Sequence, residues 1–253
     1  MHDLKSQIQS KLHHPMPVTV LETVDSTNRY LKETLEQSEC TQQAVLAKTQ
    51  TAGCGRSGKS FFSPADKGLY LSLFCPMKSY EDTVALTVKT SVAAAVAIET
   101  VCKKQVQIKW VNDLYYGSKK VCGILTQAVT NRANHFVGVI IGIGINLFET
   151  ALPPEIADTA GALNAEKNCV AALAAAVIDN TMDFTQTDSA EDWYTYYTEH
   201  SMVLGQDITY FQNGIPHRAK AIGIDRQGGL MIQTPDGNEL TLTSGEVSLR
   251  LTD

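Results

Sequence analysis

The spacing of hydrophobic and polar positions changes several times along the chain, which predicts a succession of helices and strands. Apolar residues three or four apart predict helices, and Asp25 with Ser26 offers a suitable N-cap for one of them. Apolar residues that alternate with other residues, or form short runs, predict strands. The predicted helices cover residues 1–16, 27–37, 81–103, 168–184 and 190–200. The predicted strands cover residues 18–24, 44–49, 69–74, 106–110, 121–129 and 136–145.

The last part of the chain has a different pattern, in which short apolar stretches are separated by glycine turns. Asn213-Gly214, Gly228-Gly229 and Asp236-Gly237 follow one another at even spacing. This spacing is typical of a small β-barrel. A module this short is marginal for independent folding, so we expect it to pack on the preceding residues. We therefore predict two domains, residues 1–204 and residues 205–253.

Composition narrows the class of protein. The 253 residues are 43% hydrophobic and 19% charged, which is typical of a globular chain. Acidic residues outnumber basic ones by 27 to 21, and the net charge of −6 argues against broad attraction to nucleic acid or anionic lipid. The N-terminal residues are polar, and no uninterrupted apolar run reaches the roughly 18 residues of a membrane span. We therefore expect a cytoplasmic protein without a membrane segment.

The six cysteines bear on the redox compartment. They contain no Cys-x-x-Cys pair and have no histidine at zinc-ligand spacing. Scattered thiols are typical of a protein of the reducing cytosol. We expect five of them to act as small core residues, and Cys54, which lies in a glycine-rich loop, to be the exception.

The glycine-rich loop matches a phosphate-binding loop letter for letter. Residues 53–60 read Gly-Cys-Gly-Arg-Ser-Gly-Lys-Ser, which satisfies Gly-x4-Gly-Lys-Ser. A true phosphate loop leads directly into a helix, but Pro64 disfavours helical conformation just before it. This context argues against a phosphate-loop NTPase. The glycines and the two cations Arg56 and Lys59 still suit an anionic ligand.

Five short segments occur in the order seen in the biotin–protein ligase family. They are Ser26-Thr27-Asn28, residues 50–59, Lys109-Trp110-Val111-Asn112-Asp113-Leu114, Lys120-Val121-Cys122-Gly123-Ile124-Leu125 and Gly142-Ile143-Gly144-Ile145-Asn146. Each segment is weak alone, but the five together make a strong joint signal. The chain resembles this family along nearly its whole length. Two positions depart from the family pattern, since Cys54 stands where arginine is frequent and Val111 replaces the usual proline.

The resemblance implies an α/β (α+β) fold. This fold has a mixed-sheet catalytic domain of the class II synthetase or biotin–lipoate ligase type and a small C-terminal SH3-like β-barrel. It also implies activation of biotin by ATP to biotinyl-5'-AMP, and transfer of biotin to a lysine of a biotin-accepting carboxylase domain. ATP and biotin are then substrates, and Mg²⁺ accompanies ATP. Longer family members carry an N-terminal DNA-binding domain, and Ser26 lies too early for one, so we expect no DNA partner. Whether the chain forms a homodimer stays open.

Arg56, Asp113 and Lys120 are the predicted catalytic residues. Biotin's carboxylate must approach the α-phosphate of ATP, and two such charges repel by about 4 kcal/mol at ~4 Å with an effective dielectric constant near 20. Cations offset this repulsion, and by resemblance Lys120 binds the carboxylate. The attacking lysine, with a pKa of about 10.4, is almost fully protonated at pH 7. A carboxylate beside the site, Asp113, can orient and deprotonate it.

By resemblance, the predicted ligand contacts divide between biotin and ATP. Neutral donors and acceptors suit the ureido ring of biotin, and Phe61 is a candidate stacking face for adenine. The predicted biotin-binding residues are Ser26, Thr27, Gln50, Gly53, Cys54, Arg56, Lys120 and Gly123. The predicted ATP-binding residues are Arg56, Lys59, Phe61, Lys109, Asn112, Ile145 and Asn146. No protein ligand of Mg²⁺ is assigned.

Three other functions stay open at this point. A lipoate ligase or octanoyl transferase shares the implied fold, although the sequence lacks an Arg-Arg-x-Ser-Gly-Gly-Gly-type segment. A catalytically silent ligand-binding regulator would keep the scaffold, and Cys54 is the feature that favours it. A phosphate-loop NTPase would hydrolyse ATP without any carboxylate substrate.

Overall fold

The computed structural model describes residues 2–37, 40–79, 83–186, 190–212, 214–245 and 247–249. The helices in these ranges are α1 (His2–Gln9), α2 (Thr27–Gln37), α3 (Thr83–Ala97), α4 (Pro154–Ala157), α5 (Val170–Gln186) and α6 (Ala190–His200). The strands are β1 (Val18–Val24), β2 (Gln43–Gln50), β3 (Gly68–Pro76), β4 (Gln107–Lys109), β5 (Asp113–Tyr116), β6 (Lys119–Thr130), β7 (Phe136–Asn146), β8 (Asp207–Gln212), β9 (Ile215–Ile224), β10 (Leu230–Gln233), β11 (Glu239–Leu242) and β12 (Val247–Leu249). The predicted helix start at residue 81 and the predicted turn residue Asn213 lie outside the described residues.

Strands β1 to β7 form one sheet in the order β1-β2-β3-β7-β6-β5-β4. Strands β1 and β2 run parallel, and all the other neighbouring pairs are antiparallel. The parallel pair arises because α2 carries the chain back from the end of β1 to the start of β2. The predicted mixed α/β fold is confirmed by this sheet.

The two faces of the sheet are covered differently. The odd-numbered residues of β7 from Val139 to Ile145 pack into the large core, which also contains residues of α1, α3 and α5. Ile140 points to the other face and packs with two leucines of α2. Gly142 and Gly144 continue this second face of β7, and a cavity lies against them. The second face is therefore partly closed by α2 and partly open.

Most elements lie within a few residues of the predicted bounds. Strand β1 and helix α2 have the predicted bounds, and Leu31 and Leu35 of α2 are buried as expected. Helix α1 ends earlier than predicted, at Gln9. Strand β5 and helix α4 were not predicted, because four residues are too few to show a period.

Helix α3 and the π-helical turn that follows it, Ile98–Cys102, form a 20-residue apolar helix. By length and composition alone it is the one helix of the described residues that could cross a membrane. It lies against α5, α6 and the sheet, and 61% of its most apolar stretch is buried inside the protein. Its apolar character is therefore that of a core helix, as predicted.

Strands β8 to β12 form a second, antiparallel sheet in the order β11-β10-β9-β8-β12, called here the C-terminal sheet. Its buried residues, among them Ile208 and Leu230, belong to the same hydrophobic core as those of the large sheet. Trp110 Nε1 donates a buried hydrogen bond to the carbonyl of Gly228, at 2.9 Å. The all-β C-terminal module thus packs on the rest of the chain, while the domain boundary after residue 204 stays a prediction.

Candidate active site

A cavity of about 630 Å³ lies on the open part of the large sheet. Strands β6 and β7 form its floor, and three segments that are distant in sequence form its walls. These segments are the loop of residues 54–62, residues 152–160, and the part of the C-terminal module that contains Phe211, Ser244, Gly245 and Val247. A cavity of this size is typical of a site for a small organic ligand.

Three glycines on one face of β6 and β7 make the floor of the cavity. Gly123 of β6 is paired with Gly144 of β7, and Gly142 lies two residues earlier in β7. A Cβ atom at Gly144 would lie 2.5 Å from the ring of Phe61, and one at Gly142 would overlap with the side chain of Asn28. A side chain at either position would therefore collide with residues around the cavity. The Gly-x-Gly segment keeps the floor free of side chains.

Neutral polar groups meet at the end of the cavity where α2 begins. Gln50 Oε1 accepts hydrogen bonds from the backbone N–H and the hydroxyl of Thr27, at 2.9 and 3.1 Å. Gln50 Nε2 donates to Ser63 Oγ at 2.9 Å, and Ser72 Oγ lies 2.7 Å from Thr27 Oγ1. These bonds fix Thr27 and Gln50, which both line the cavity, so this end offers donors and acceptors without charge.

Basic side chains outnumber acidic ones around the cavity. Among the described lining residues Arg56, Lys59, Lys109 and Lys120 are basic, and Asp113 alone is acidic. Lys120 Nζ lies 2.6 Å from Asp113 Oδ1, and these side chains are 32% and 21% exposed. The cavity is thus locally positive although the chain carries a net charge of −6, and it suits an anionic ligand.

Arg56 is held by two partners at the edge of the cavity. Its guanidinium donates to Asn112 Oδ1 at 2.9 Å and to the carbonyl of Gly245 at 3.2 Å. Asn112 Nδ2 in turn donates to the carbonyl of Ile124 in β6, at 3.0 Å. Asn112 therefore orients Arg56 against the floor, and Gly245 connects Arg56 to the C-terminal sheet.

The glycine-rich loop is a tight hairpin and not a phosphate loop. Residues 56–58 form a short 3-10 turn, and a β-bridge joins Cys54 to Ser60. Ser57 and Gly58 have positive φ angles of 54° and 74°, which close the turn. No helix begins between Ser60 and β3, a segment that the structure describes throughout. The phosphate-loop reading of the sequence is therefore excluded.

The structure brings most of the predicted site residues to one cavity. Those that line it are Thr27, Gln50, Cys54, Arg56, Lys59, Phe61, Lys109, Asn112, Asp113, Lys120, Gly123 and Asn146. Three others, Ser26, Gly53 and Ile145, do not line it. Ser26 is 2% exposed and accepts the first helical hydrogen bond of α2, Gly53 lets the hairpin close against the Phe61 carbonyl, and the Ile145 side chain lies in the opposite core.

Two walls of the cavity were not found from the sequence. They carry apolar and small polar side chains that belong to no motif, and only the fold brings them to the site. These residues include Leu152, Ile156, Thr159, Ala160 and Phe211. The pair Pro153-Pro154, at the start of the single turn of α4, is a local signal that could have indicated a helical turn in the first of these walls.

The cysteines differ partly from expectation. Cys54 is exposed and lines the cavity, as expected of the exception. Cys75, Cys122 and Cys169 are buried, but Cys40 and Cys102 are partly exposed. Three of the five predicted core cysteines are therefore confirmed as such.

Comparisons with known proteins identify the family of the chain. Residues 20–146 match the model of the biotin/lipoate A/B protein ligase family, and residues 204–250 match the biotin protein ligase C-terminal domain. The bifunctional ligase/repressor BirA of Escherichia coli K12 is 26% identical over 243 residues, which cover 92% of this chain and 74% of that protein. Its namesake from Bacillus subtilis 168 is 28% identical over 229 residues, which cover 85% of this chain and 69% of that protein.

A solved structure shows the same architecture. The biotin protein ligase from Aquifex aeolicus in complex with biotin and ATP has a TM-score of 0.77 and 28% identity, and the match covers 93% of this chain and 99% of that chain. The first family match spans about half of the present chain and contains all five segments on which the resemblance rests. The resemblance is confirmed, and the chain belongs to the biotin/lipoate A/B protein ligase family.

Proposed function

We propose that this enzyme, a biotin protein ligase, activates biotin with ATP to biotinyl-5'-AMP and transfers the biotin to a lysine of a biotin-accepting carboxylase domain. The observation that carries the proposal is a single cavity with a neutral hydrogen-bonding end and four cations along one glycine floor. The likeness to the Aquifex aeolicus structure that contains biotin and ATP supports it.

The geometry of β7 gives the proposed orientation of the two substrates. Thr27 contacts Ser72, which is paired with Gly142 of β7. Asn146 lines the cavity four residues further along the same strand, which corresponds to roughly 13 Å. In the proposed mode the ureido ring of biotin lies beside Thr27 and Gln50, and the nucleotide lies toward Asn146.

Lys120 stands between these two ends. Its Nζ would lie 3.4 Å from a Cβ atom at Gly123, and Gly123 is paired with Gly144, midway between Gly142 and Asn146. The carboxylate of biotin and the α-phosphate of ATP meet at this middle position. Lys120 is therefore the proposed ligand of the carboxylate, and then of the carbonyl oxygen of the adenylate.

The remaining cations lower the barrier of the first half-reaction. A carboxylate oxygen of biotin attacks the α-phosphorus. The bond from this phosphorus to the bridging oxygen breaks, and pyrophosphate leaves with the electron pair. Arg56 and Lys59 add positive charge at the edge of the same cavity, and Lys109 is placed in the proposal at the outgoing pyrophosphate. Two anions ~4 Å apart repel by about 4 kcal/mol at an effective dielectric constant near 20, and cations near the reacting centre offset this repulsion.

Asp113 is the proposed base of the second half-reaction. The acceptor amine attacks the carbonyl carbon of the adenylate, and AMP leaves with the electron pair of the broken anhydride bond. Asp113 is 2.6 Å from Lys120 Nζ, so a carbonyl bound to Lys120 also lies near Asp113. The carboxylate can therefore orient the incoming amine and take its proton.

The nucleotide contacts are proposed in modified form. Phe61 lies over Gly144 and Gly123 of the floor and offers a flat face for a base. Asn146 is already bonded through Nδ2 to the carbonyl of Gly161, at 2.9 Å, which leaves its side-chain oxygen for a ligand. Ile145 can contribute only main-chain atoms, because its side chain is in the opposite core.

Mg²⁺ is expected to enter with ATP. Within the described residues no three His, Cys, Asp or Glu side chains are grouped to hold a metal ion, and Asp113 is the single carboxylate that lines the cavity. A magnesium ion held by phosphate oxygens and water fits this arrangement, and no lining residue is assigned as its protein ligand. When bound, the ion neutralises phosphate charge.

The test is biotin-dependent exchange of pyrophosphate into ATP, with biotin and lipoate compared as the required acid. We expect exchange with biotin, and a loss on the order of a hundredfold or more in Lys120→Ala. Lys220→Ala, at an exposed position of the C-terminal sheet, is the matched control and should keep activity. Circular dichroism checks that each variant folds. Exchange with lipoate and not with biotin would assign the chain to the lipoate branch of the family.

The carboxylase acceptor, the homodimer and the cytoplasmic location stay predictions.

A further inference from the structure

The segment of residues 152–161 contributes to the walls of two cavities. One is the cavity of the candidate active site, and the other is a second cavity of about 270 Å³. Phe62, Asn146, Leu152 and Ala160 line both. The position of this segment therefore decides the shape of the active site at its Asn146 end.

The main chain of the segment is joined to β6 at Lys120. The Lys120 N–H donates to the carbonyl of Thr159 at 2.8 Å, and the Gly161 N–H donates to the carbonyl of Lys120 at 2.9 Å. The segment is also joined to β7, because Asn146 Nδ2 donates to the carbonyl of Gly161 at 2.9 Å. The wall thus rests on the same strands that form the floor.

Lys119 adds a side-chain clamp to these main-chain bonds. Its Nζ donates to the carbonyls of Ala157 and Asp158, at 3.1 and 2.7 Å. These carbonyls end helix α4, where the backbone oxygens have no further helical donors. A Cβ atom at Gly161 would lie 2.6 Å from Lys119 Cβ, so the segment runs directly against this lysine on both sides of its bend.

We propose that Lys119 is a positioning residue that holds the wall of residues 152–161 in place and thereby sets the affinity of the site for the nucleotide. The nucleotide is the substrate affected, because the wall lines the Asn146 end of the cavity, and Asn146 lies roughly 13 Å along β7 from Gly142, the residue nearest the Thr27 end. This assignment rests on the proposed function. Lys119 itself lines only the second cavity and touches neither substrate in the proposed mode.

The first experiment measures the wall without reference to any activity. Backbone hydrogen exchange of peptides that cover residues 152–163 is followed in the wild-type chain and in Lys119→Met, which keeps a long apolar side chain but loses the donor. Exchange at the wall should become several-fold faster in Lys119→Met and return toward the wild-type rate in Lys119→Arg. Peptides of β3 should be unchanged, and Lys220→Met is the matched control for a lost surface charge.

The second experiment uses biotin-dependent ATP–pyrophosphate exchange. Loss of two hydrogen bonds to carbonyls should raise the KM for ATP by roughly 3- to 10-fold in Lys119→Met, with the KM for biotin nearly unchanged. Lys119→Arg should restore the KM for ATP, whereas a lysine that only stabilised the fold would affect both substrates alike.

The outcomes separate this inference from the proposed function. Unchanged exchange at the wall in Lys119→Met overturns the clamp, whatever reaction the chain performs. Faster exchange with an unchanged KM for ATP shows a merely structural contact and also overturns the inference. A wild-type chain that shows no biotin-dependent reaction defeats the proposed function, while hydrogen exchange still decides whether Lys119 holds the wall.

Discussion

Lys120 and Asp113 form an ion pair inside the cavity, so a change at one of these residues alters the surroundings of the other. In the proposed mechanism this pairing joins the two half-reactions at one place, because the proposed ligand of the carboxylate is in contact with the proposed base. The neutral residues around them matter in a different way. Gly123 and Gly144 leave open the space above the floor, which both substrates share in the proposed mode.

Asp113→Asn should separate the two half-reactions. Asparagine keeps the shape of the side chain, so we expect formation of the adenylate to fall less than tenfold. Transfer to the acceptor lysine should fall by about 10²- to 10⁴-fold, because the base is lost. Single-turnover assays with pre-formed adenylate measure the second step alone. Equal losses in both steps would place Asp113 at the nucleotide or the metal ion instead.

Alkylation of Cys54 should inactivate the enzyme, and biotin with ATP should protect it. Cys54 is exposed and lines the cavity, so an added group would obstruct the entry of substrate. Cys75 should not react, since burial raises the pKa of its thiol to about 12 and leaves almost no thiolate. Mass spectrometry identifies the modified residue. Cys54→Ala should stay active and resist the reagent, and full activity after confirmed modification of Cys54 would contradict the prediction.

At the scale of helices and strands, the sequence was informative wherever a period extended over several residues. Helix α2 and strand β1 were predicted to the residue because a capping pair separates two clear patterns. Strand β5 was not predicted, although Asp113 belongs to it, because its four residues show no period and its pairing with β6 is a tertiary contact. The wall of residues 152–161 was missed for the same reason. Its side chains become site residues only through the bonds that join it to β6 and β7.

The hairpin of residues 53–60 should be protected from trypsin by substrates. Its turn exposes Ser57, Gly58 and Lys59, and few main-chain bonds hold its tip. An anion placed between Arg56 and Lys59 would reduce their repulsion and favour one closed conformation. Cleavage after either residue should be slower with biotin and slowest with biotin plus ATP. Lys103, an exposed site outside the cavity, provides the internal control. Equal cleavage rates at the hairpin with and without saturating ligands would show that the substrates do not stabilise a closed conformation of the hairpin.

At the scale of the whole molecule, the site is assembled from both sheets. The C-terminal sheet contributes Phe211 and Val247 to the cavity and receives a hydrogen bond from Arg56 through Gly245. The chain has a net charge of −6 but brings four basic side chains together in one cavity. These side chains come from different parts of the sequence, and only the fold brings them together. The five motifs predicted the cations and the floor. They did not predict the contribution of the C-terminal sheet, which depends on packing across a shared core.

Trp110→Phe should weaken the connection between the two sheets. The substitution removes the donor of the bond to the Gly228 carbonyl and leaves that buried oxygen unpaired. We expect a loss of about 1–2 kcal/mol in the free energy of unfolding beyond the loss of ring volume. Trp193→Phe is the matched control, because Trp193 is equally buried and its Nε1 has no hydrogen-bond partner among the described residues. Urea denaturation of both variants measures the difference, and equal losses would show that the Trp110 bond contributes little.

Strand β7 carries isoleucine and valine on the core face and glycine on the cavity face. Since successive side chains of a strand point to opposite faces, a shift of β7 by one residue would exchange the two sets. Isoleucines would then occupy the cavity, and glycines would leave holes in the core. A one-residue insertion near residue 138 would therefore abolish stability and catalysis together, whereas the same insertion in the turn at residues 131–134 would be absorbed. In this strand one register both fills the core and keeps the cavity open, so a change of register would lose the stability and the open site together.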